Sequence, residues 1–210
     1  HDNGSGQPVV LIHGWPLSER SWEKQERFLL EQGFRVITYD RRGFGESSKP
    51  VSGYDYDSFA EDLNVLMNQL DLQNAILVGF SMGAGEVARY LGTYGSSRVS
   101  KAVFISGITP ALLKSGDNPE GVDQGVFDEM IERISEDRPA FLTKFLRDFY
   151  SHNLLGRKNV SDDIVHFSWT IAALASPIAT AKCVSAWLED FRADIARIKI
   201  PTLIIHGDAD

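Results

Sequence analysis

Short apolar runs recur along the chain, separated by longer stretches whose apolar residues fall three and four apart. Val9-Val10-Leu11-Ile12, Arg35 to Tyr39, Ala75 to Gly79, Ala102 to Ile105 and Thr202 to His206 are the runs. Near-continuous apolar segments of this length predict strands of a parallel sheet covered on both faces. Between them, Trp22, Leu29 and Leu30 mark a helix ended by Gly33. Phe59, Leu63, Leu66, Met67 and Leu70 mark a second, with Ser58 and Glu61 spaced as a capping box. Val87, Ala88 and Leu91 mark a third, ended near Gly92 or Gly95. Alternation of this kind predicts an α/β fold, with a mostly parallel sheet flanked by helices and right-handed crossovers.

The rhythm breaks between Ser106 and Thr202, where no strand pattern occurs. Leu112 to Gly125 reads as loop. Helical stretches follow, carrying Phe127, Met130, Ile131 and Ile134, then Phe141, Phe145 and Phe149 beyond Pro139. Further helices are expected over Asp162 to Leu174 and Ile178 to Asp190. The organisation expected is a core over 1–107, a helical cap or lid over 108–195 and a final core strand over 196–210. Most of the aromatics Phe141, Phe145, Phe149, Phe167, Trp169 and Trp187 are expected to pack the insertion's own core. One or two should line an apolar pocket over the sheet.

The chain is 210 residues long, 43% hydrophobic and 24% charged, which suits one globular domain with an insertion. A formal net charge of −8 argues against a nucleic-acid binder, which needs a basic face. No apolar run has the length of a membrane span. Cys183 is the single cysteine, so no internal disulfide forms, and a cytoplasmic setting is expected.

Chemistry enters at Leu77-Val78-Gly79-Phe80-Ser81-Met82-Gly83. Gly-x-Ser-x-Gly alone arises by chance in about one chain in ten or twenty of this size. Here it lies between a strand ending at Gly79 and a helix starting at Met82, so Ser81 sits on a sharp strand–turn–helix connection. That is the context a nucleophile elbow requires, and it makes Ser81 the candidate nucleophile. The backbone N–H of Met82 is one candidate oxyanion donor. The second is the N–H of Trp15, in the loop His13-Gly14-Trp15-Pro16; Pro16 has no N–H to offer. His13, at a strand end, reads as structural and hydrogen-bonded to backbone. A carboxylate after the last strand fits the chain order Ser, then acid, then His. Asp210 is favoured for it, with Asp208 capping the turn. His152, His166 and His206 read as surface or packing residues, and Cys183 as a buried, inert thiol.

The segments HGWPLS, YDRRGFGESS and GFSMGAGEVARY, with the ending GDAD, resemble the α/β-hydrolase fold. More closely they resemble its cofactor-free haloperoxidase and aryl esterase branch, over essentially the whole chain and most strongly from Pro8 to Gly107. The resemblance implies a serine esterase that uses no metal or haem. Its Ser81 would be acylated by small-molecule esters or carboxylic acids, and hydrogen peroxide would replace water to give a peracid. It also suggests a homo-oligomer. The Asp40 to Ser47 motif reads as a structural turn. Related enzymes such as γ-lactamases share these motifs, and a non-catalytic binding module is a further alternative. Haloalkane dehalogenases and epoxide hydrolases carry Asp at the elbow, so Ser81 argues against both. The chain opens at His1 and stops at Asp210 directly after a strand, so it reads as truncated at both ends. Two N-terminal strands and a piece carrying the catalytic His are expected beyond it. The 210 residues alone are expected to be inactive and aggregation-prone.

Overall fold

The computed structural model describes residues 1–152 and 160–208. Six strands form one sheet: β1 (Asp2–Asn3), β2 (Pro8–Ile12), β3 (Arg35–Tyr39), β4 (Ala75–Phe80), β5 (Val99–Ile105) and β6 (Thr202–Ile205). Their order is β1-β3-β2-β4-β5-β6, and only β1 runs antiparallel to its neighbour. β1 leaves no mark in the hydrophobic pattern because it has two polar residues. It is held by ladder pairs with β3 and by the Arg35 guanidinium, which forks onto the Asp2 carboxylate at 2.7 and 2.8 Å.

The period-two alternation of β2 sorts its side chains. Val10 and Ile12 face the main core, while Val9 and Leu11 join a smaller cluster with Trp22, Val36 and Val78 on the other face. Three helices cover the sheet: α1 (Glu23–Glu31), α2 (Tyr56–Gln69) and α3 (Met82–Tyr94). α2 starts one turn before the position predicted from Ser58 and Glu61. Its N-cap is Asp55, whose carboxylate accepts the Ser58 N–H at 2.8 Å. Tyr56 and Phe59 are both fully buried, so core packing extends the helix back to the nearest capping side chain.

The described residues between β5 and β6 carry four helices: α4 (Gln124–Phe149), α5 (Asp162–Ala173), α6 (Pro177–Ala186) and a short α7 (Arg192–Ile195). α4 joins the two helices expected on either side of Pro139. The join is a kink at Asp137 (φ −150°, ψ 82°), where the Asp137 carboxylate accepts the Ala140 N–H at 3.0 Å and restarts the helix. These helices do not own a separate core. Phe127, Phe141, Leu146, Ile171, Cys183 and Trp187 belong to the same buried cluster as Val10, Phe59, Leu77 and Val87. The expectation that most of the aromatics pack a core of the insertion's own is thereby corrected. No single helix among the described residues is long and apolar enough to cross a membrane. α5 and α6 pass together on length and composition, but they meet at 97°.

Replacing Asp55 with Ala removes the observed cap and should destabilise the protein by about 1 kcal/mol. Ser58→Ala should change stability by less than about 0.5 kcal/mol. Urea unfolding of both variants checks the pair, and the opposite ranking would restore Ser58 as the cap.

Candidate active site

Ser81 joins β4 directly to α3, with φ 53° and ψ −116°. A non-glycine residue held at positive φ costs about 1–3 kcal/mol and persists only where its surroundings over-determine it. They do so here. Ser81 N–H donates to the Ile105 carbonyl at 2.9 Å, and its own carbonyl accepts the Ala84 N–H at 3.0 Å. The flanking glycines are needed for close approach. A Cβ on Gly83 would stand 2.4 Å from the Ile12 carbonyl oxygen, and one on Gly79 would stand 2.4 Å from that of Gly83. The first turn of α3 therefore rests directly on the backbone of β2 and β4.

β2 and β4 are parallel neighbours in the register Ile12 to Gly79, so the loop after β2 emerges level with the Ser81 turn. A Cβ on Gly14 would lie 3.2 Å from the Ser81 Cβ, which puts that loop in van der Waals contact with the elbow. The N–H groups of Trp15 and Met82 make no backbone hydrogen bond among the described residues. An N–H on the loop after β2 and another at the start of α3 are the kind of donors an oxyanion site would draw on.

The Trp15 side chain fixes its loop from above. Its indole N–H donates to the Thr180 carbonyl at 3.1 Å, and its ring meets Phe145 and Trp187 edge-on, both at 5.0 Å between centroids. Phe141, Phe145 and Phe149 stack along α4 at 5.9 and 5.8 Å, and Phe149 reaches Phe80, next to Ser81, at 6.2 Å. This ladder thus spans from Trp15 to Phe80. Four of the insertion's aromatics meet residues beside the candidate nucleophile and donor: Phe141, Phe145 and Trp187 at Trp15, and Phe149 at Phe80. The i, i+4 spacing was visible in sequence; which neighbours it would meet was not.

The acid falls at the margin of what is described. β6 pairs with β5 through Ile205 and Ile105, and Ser106 N–H donates to the Ile205 carbonyl at 2.8 Å. The chain after β6 therefore leaves the same edge of the sheet as the elbow. Asp208 follows in a turn, and Asp210 lies outside the described residues. The other expectations divide cleanly. Both nitrogens of buried His13 are engaged, Nε2 accepting the Arg41 N–H at 3.0 Å and Nδ1–H donating to the Gly14 carbonyl at 2.9 Å. Burial, with the Arg41 charge beside it, lowers its pKa well below the ordinary 6.5. His152 has its Nε2 2.9 Å from an Asp162 oxygen, off the direction of a hydrogen bond. His166 is exposed beside Arg147 and Trp169. Cys183 is fully buried, and burial pushes its thiol up to about 12, which leaves it inert. The Asp40 to Ser47 motif is a turn: the Asp40 carboxylate accepts the N–H groups of Glu19 at 2.9 Å and Glu46 at 2.8 Å.

One cluster was not anticipated. Beneath the loop after β2, Arg41 Nε donates to Glu86 Oε2 at 2.7 Å, and the Tyr39 hydroxyl donates to Glu86 Oε1. Burial raises the Glu86 carboxyl above its ordinary value, while Arg41 and the Tyr39 hydroxyl draw it back down. The available signal was a lone carboxylate, four residues after Met82, in a helix turn otherwise made of small and apolar residues.

A sequence model of the alpha/beta hydrolase fold matches residues 7–210, and the chain belongs to that family. It is 59% identical over 209 residues to a Synechocystis protein provisionally named a non-heme chloroperoxidase, an alignment covering 100% of this chain and 76% of that one. It is 37% identical to a bifunctional esterase/perhydrolase of Acinetobacter calcoaceticus, covering 97% of this chain and 74% of the relative. Among solved structures it is similar to a bromoperoxidase from Bacillus anthracis, with TM-score 0.95 and 52% identity, over 100% of this chain and 76% of that one. The chain is an enzyme of the α/β-hydrolase class.

Burial of neutral His13 ties stability to pH. The unfolded chain protonates this ring below about pH 6.5, whereas the folded state does not. Its contribution is therefore complete above pH 6.5 and is lost as pH falls toward the folded value, by up to about 1.4 kcal/mol per pH unit. In urea titrations between pH 7.5 and 5.0, His13→Asn should be less stable at pH 7.5 and should show a flatter decline. An equal slope in both proteins would mean that His13 is protonated in the fold.

Proposed function

We propose that this chain is a serine-dependent carboxylic ester hydrolase with perhydrolase activity, acting through an acyl-enzyme on Ser81. The observation that carries the proposal is the strained Ser81 turn, set against a loop and a helix start whose Trp15 and Met82 N–H groups have no backbone acceptor among the described residues. The relatives named for esterase, perhydrolase and non-heme peroxidase activity support the same reading.

The steps follow from that arrangement. The Ser81 oxygen attacks the ester carbonyl while its proton passes to a histidine base oriented by Asp210. The carbonyl oxygen gains negative charge and is met by the N–H groups of Trp15 and Met82. Collapse of the adduct expels the alcohol, which takes the proton from the histidine, and leaves the acyl ester on Ser81. Water then attacks the ester to give the acid, or hydrogen peroxide attacks to give the peracid; either way the Ser81 hydroxyl is restored. The peracid transfers its terminal oxygen to bromide or chloride, yielding the carboxylate and a hypohalous acid, a step that requires no redox centre. Residues 108–195 act as the cap in this reading. Phe145 and Phe149 form an apolar wall beside the elbow, which favours small esters with an apolar acyl group and excludes some water.

Ser81→Ala should lower p-nitrophenyl acetate hydrolysis and peracid formation together by at least about 10³-fold, because the nucleophile and its base act as a unit. A fluorophosphonate should label the wild type once and the variant not at all. Retention of more than about a tenth of the wild-type rate would remove Ser81 from the mechanism.

A further inference from the structure

Arg41 and Glu86 are the most deeply buried charged pair among the described residues, with side chains 1% and 0% exposed. A buried ion pair is no more stabilising than a well-packed apolar pair of similar volume, so stability alone gives little reason for one here. What the pair touches gives a reason. The Arg41 guanidinium donates through one terminal nitrogen to the His13 carbonyl at 3.0 Å, while the Arg41 backbone N–H holds the His13 ring at 3.0 Å. His13 in turn bonds the Gly14 carbonyl, whose oxygen also accepts the Leu17 N–H at 3.1 Å and closes the loop around Trp15.

The other terminal nitrogen of Arg41 lies 3.7 Å from Met82 Sδ, and the guanidinium sits over the Phe59 ring at 5.3 Å. The Tyr56 hydroxyl donates to the Met82 carbonyl at 3.1 Å from the same buried layer. Glu86 stands one helical turn beyond Met82 on α3, so the ion pair links that helix to the loop after β2. Both carboxylate oxygens are bonded, one to Arg41 and one to Tyr39, which leaves the guanidinium a single setting.

We propose that the Arg41–Glu86 pair is a positioning element for the oxyanion site: it holds the Trp15 and Met82 backbone donors in register with each other without touching the substrate. The inference rests on the serine-esterase reading of the site. An error of about 1 Å in such placement costs a reaction on the order of 10²-fold even when binding is intact. An apolar pair can replace the packing of the ion pair but not its hydrogen bonds to the loop.

The test is the double variant Arg41→Met/Glu86→Leu, made in the full-length protein alongside Glu86→Gln, which keeps the shape of the carboxylate. The double variant should melt within a few degrees of the wild type. Its kcat for p-nitrophenyl acetate should fall about 100-fold with KM changed less than about threefold. Its affinity for a charged phosphonate analogue of the tetrahedral adduct should fall by a similar factor, while acetate, the product, binds as before. Glu86→Gln should lose at least about fivefold in kcat. A folded double variant with kcat and phosphonate affinity within threefold of wild type overturns the proposal. If the double variant does not fold, Glu86→Gln decides, and a kcat within twofold of wild type overturns it. A wild type that neither turns over esters nor takes a fluorophosphonate overturns the esterase reading, and this proposal with it. A labelled, active wild type beside an unimpaired double variant overturns this proposal alone.

Discussion

The contact on which the rest depends is the seat of α3 on the backbone of β2 and β4. At Gly83 the helix passes so close to the Ile12 carbonyl that no side chain fits between them. That approach leaves no room for a loop between β4 and α3, so a single residue must reverse the chain, and Ser81 does it at positive φ. The strain is sustained by the ladders on either side of β4 and by the Ile105 carbonyl that holds the Ser81 N–H. The same closeness brings the loop after β2 against the elbow, so one packing constraint produces both the sharp, half-buried turn and the loop that flanks it.

The helical insertion is attached to this seat rather than perched above it. Trp15 is the hinge of the attachment: its backbone belongs to the loop after β2, and its ring lies among Phe145, Trp187 and the Thr180 carbonyl. A second tie runs along the side, where Arg89 of α3 pairs with Glu189 and Asp194, both beyond α6. Because sheet and insertion share one apolar cluster, a change in the cap is felt at the elbow through packing, with no separate hinge domain to absorb it.

Charge inside this core is tolerated because it is saturated. Glu86 is met on both oxygens, Arg41 reaches Glu86 and the His13 carbonyl, and neutral His13 uses both ring nitrogens on backbone. A partly bonded set of this kind would be more costly than an apolar core. Fully bonded, it removes the freedom of the loop that carries Trp15.

The strand–helix alternation, the Ser81 elbow and the helical character of 124–149 and 162–186 were legible in the chain because each is a local pattern: runs, three-to-four spacing, glycines at fixed offsets. The cap of α2 was misplaced by one turn because Ser58 and Glu61 satisfy the local rule as well as Asp55 does, and only the buried Tyr56 and Phe59 choose between them. β1 was invisible because two polar residues become a strand only through the partner they pair with. Arg41 and Glu86, 45 positions apart, carry no local pattern that pairs them. Their meeting depends on β3 and α3 converging over the end of β2, as does the meeting of Phe149 with Phe80. By itself the sequence determined which segments are strands and helices and where a strained serine must fall, because those follow from neighbours along the chain. Only the tertiary structure decided which charges are buried together and which aromatics face the elbow, because those contacts join residues that the backbone brings near only when the sheet is complete.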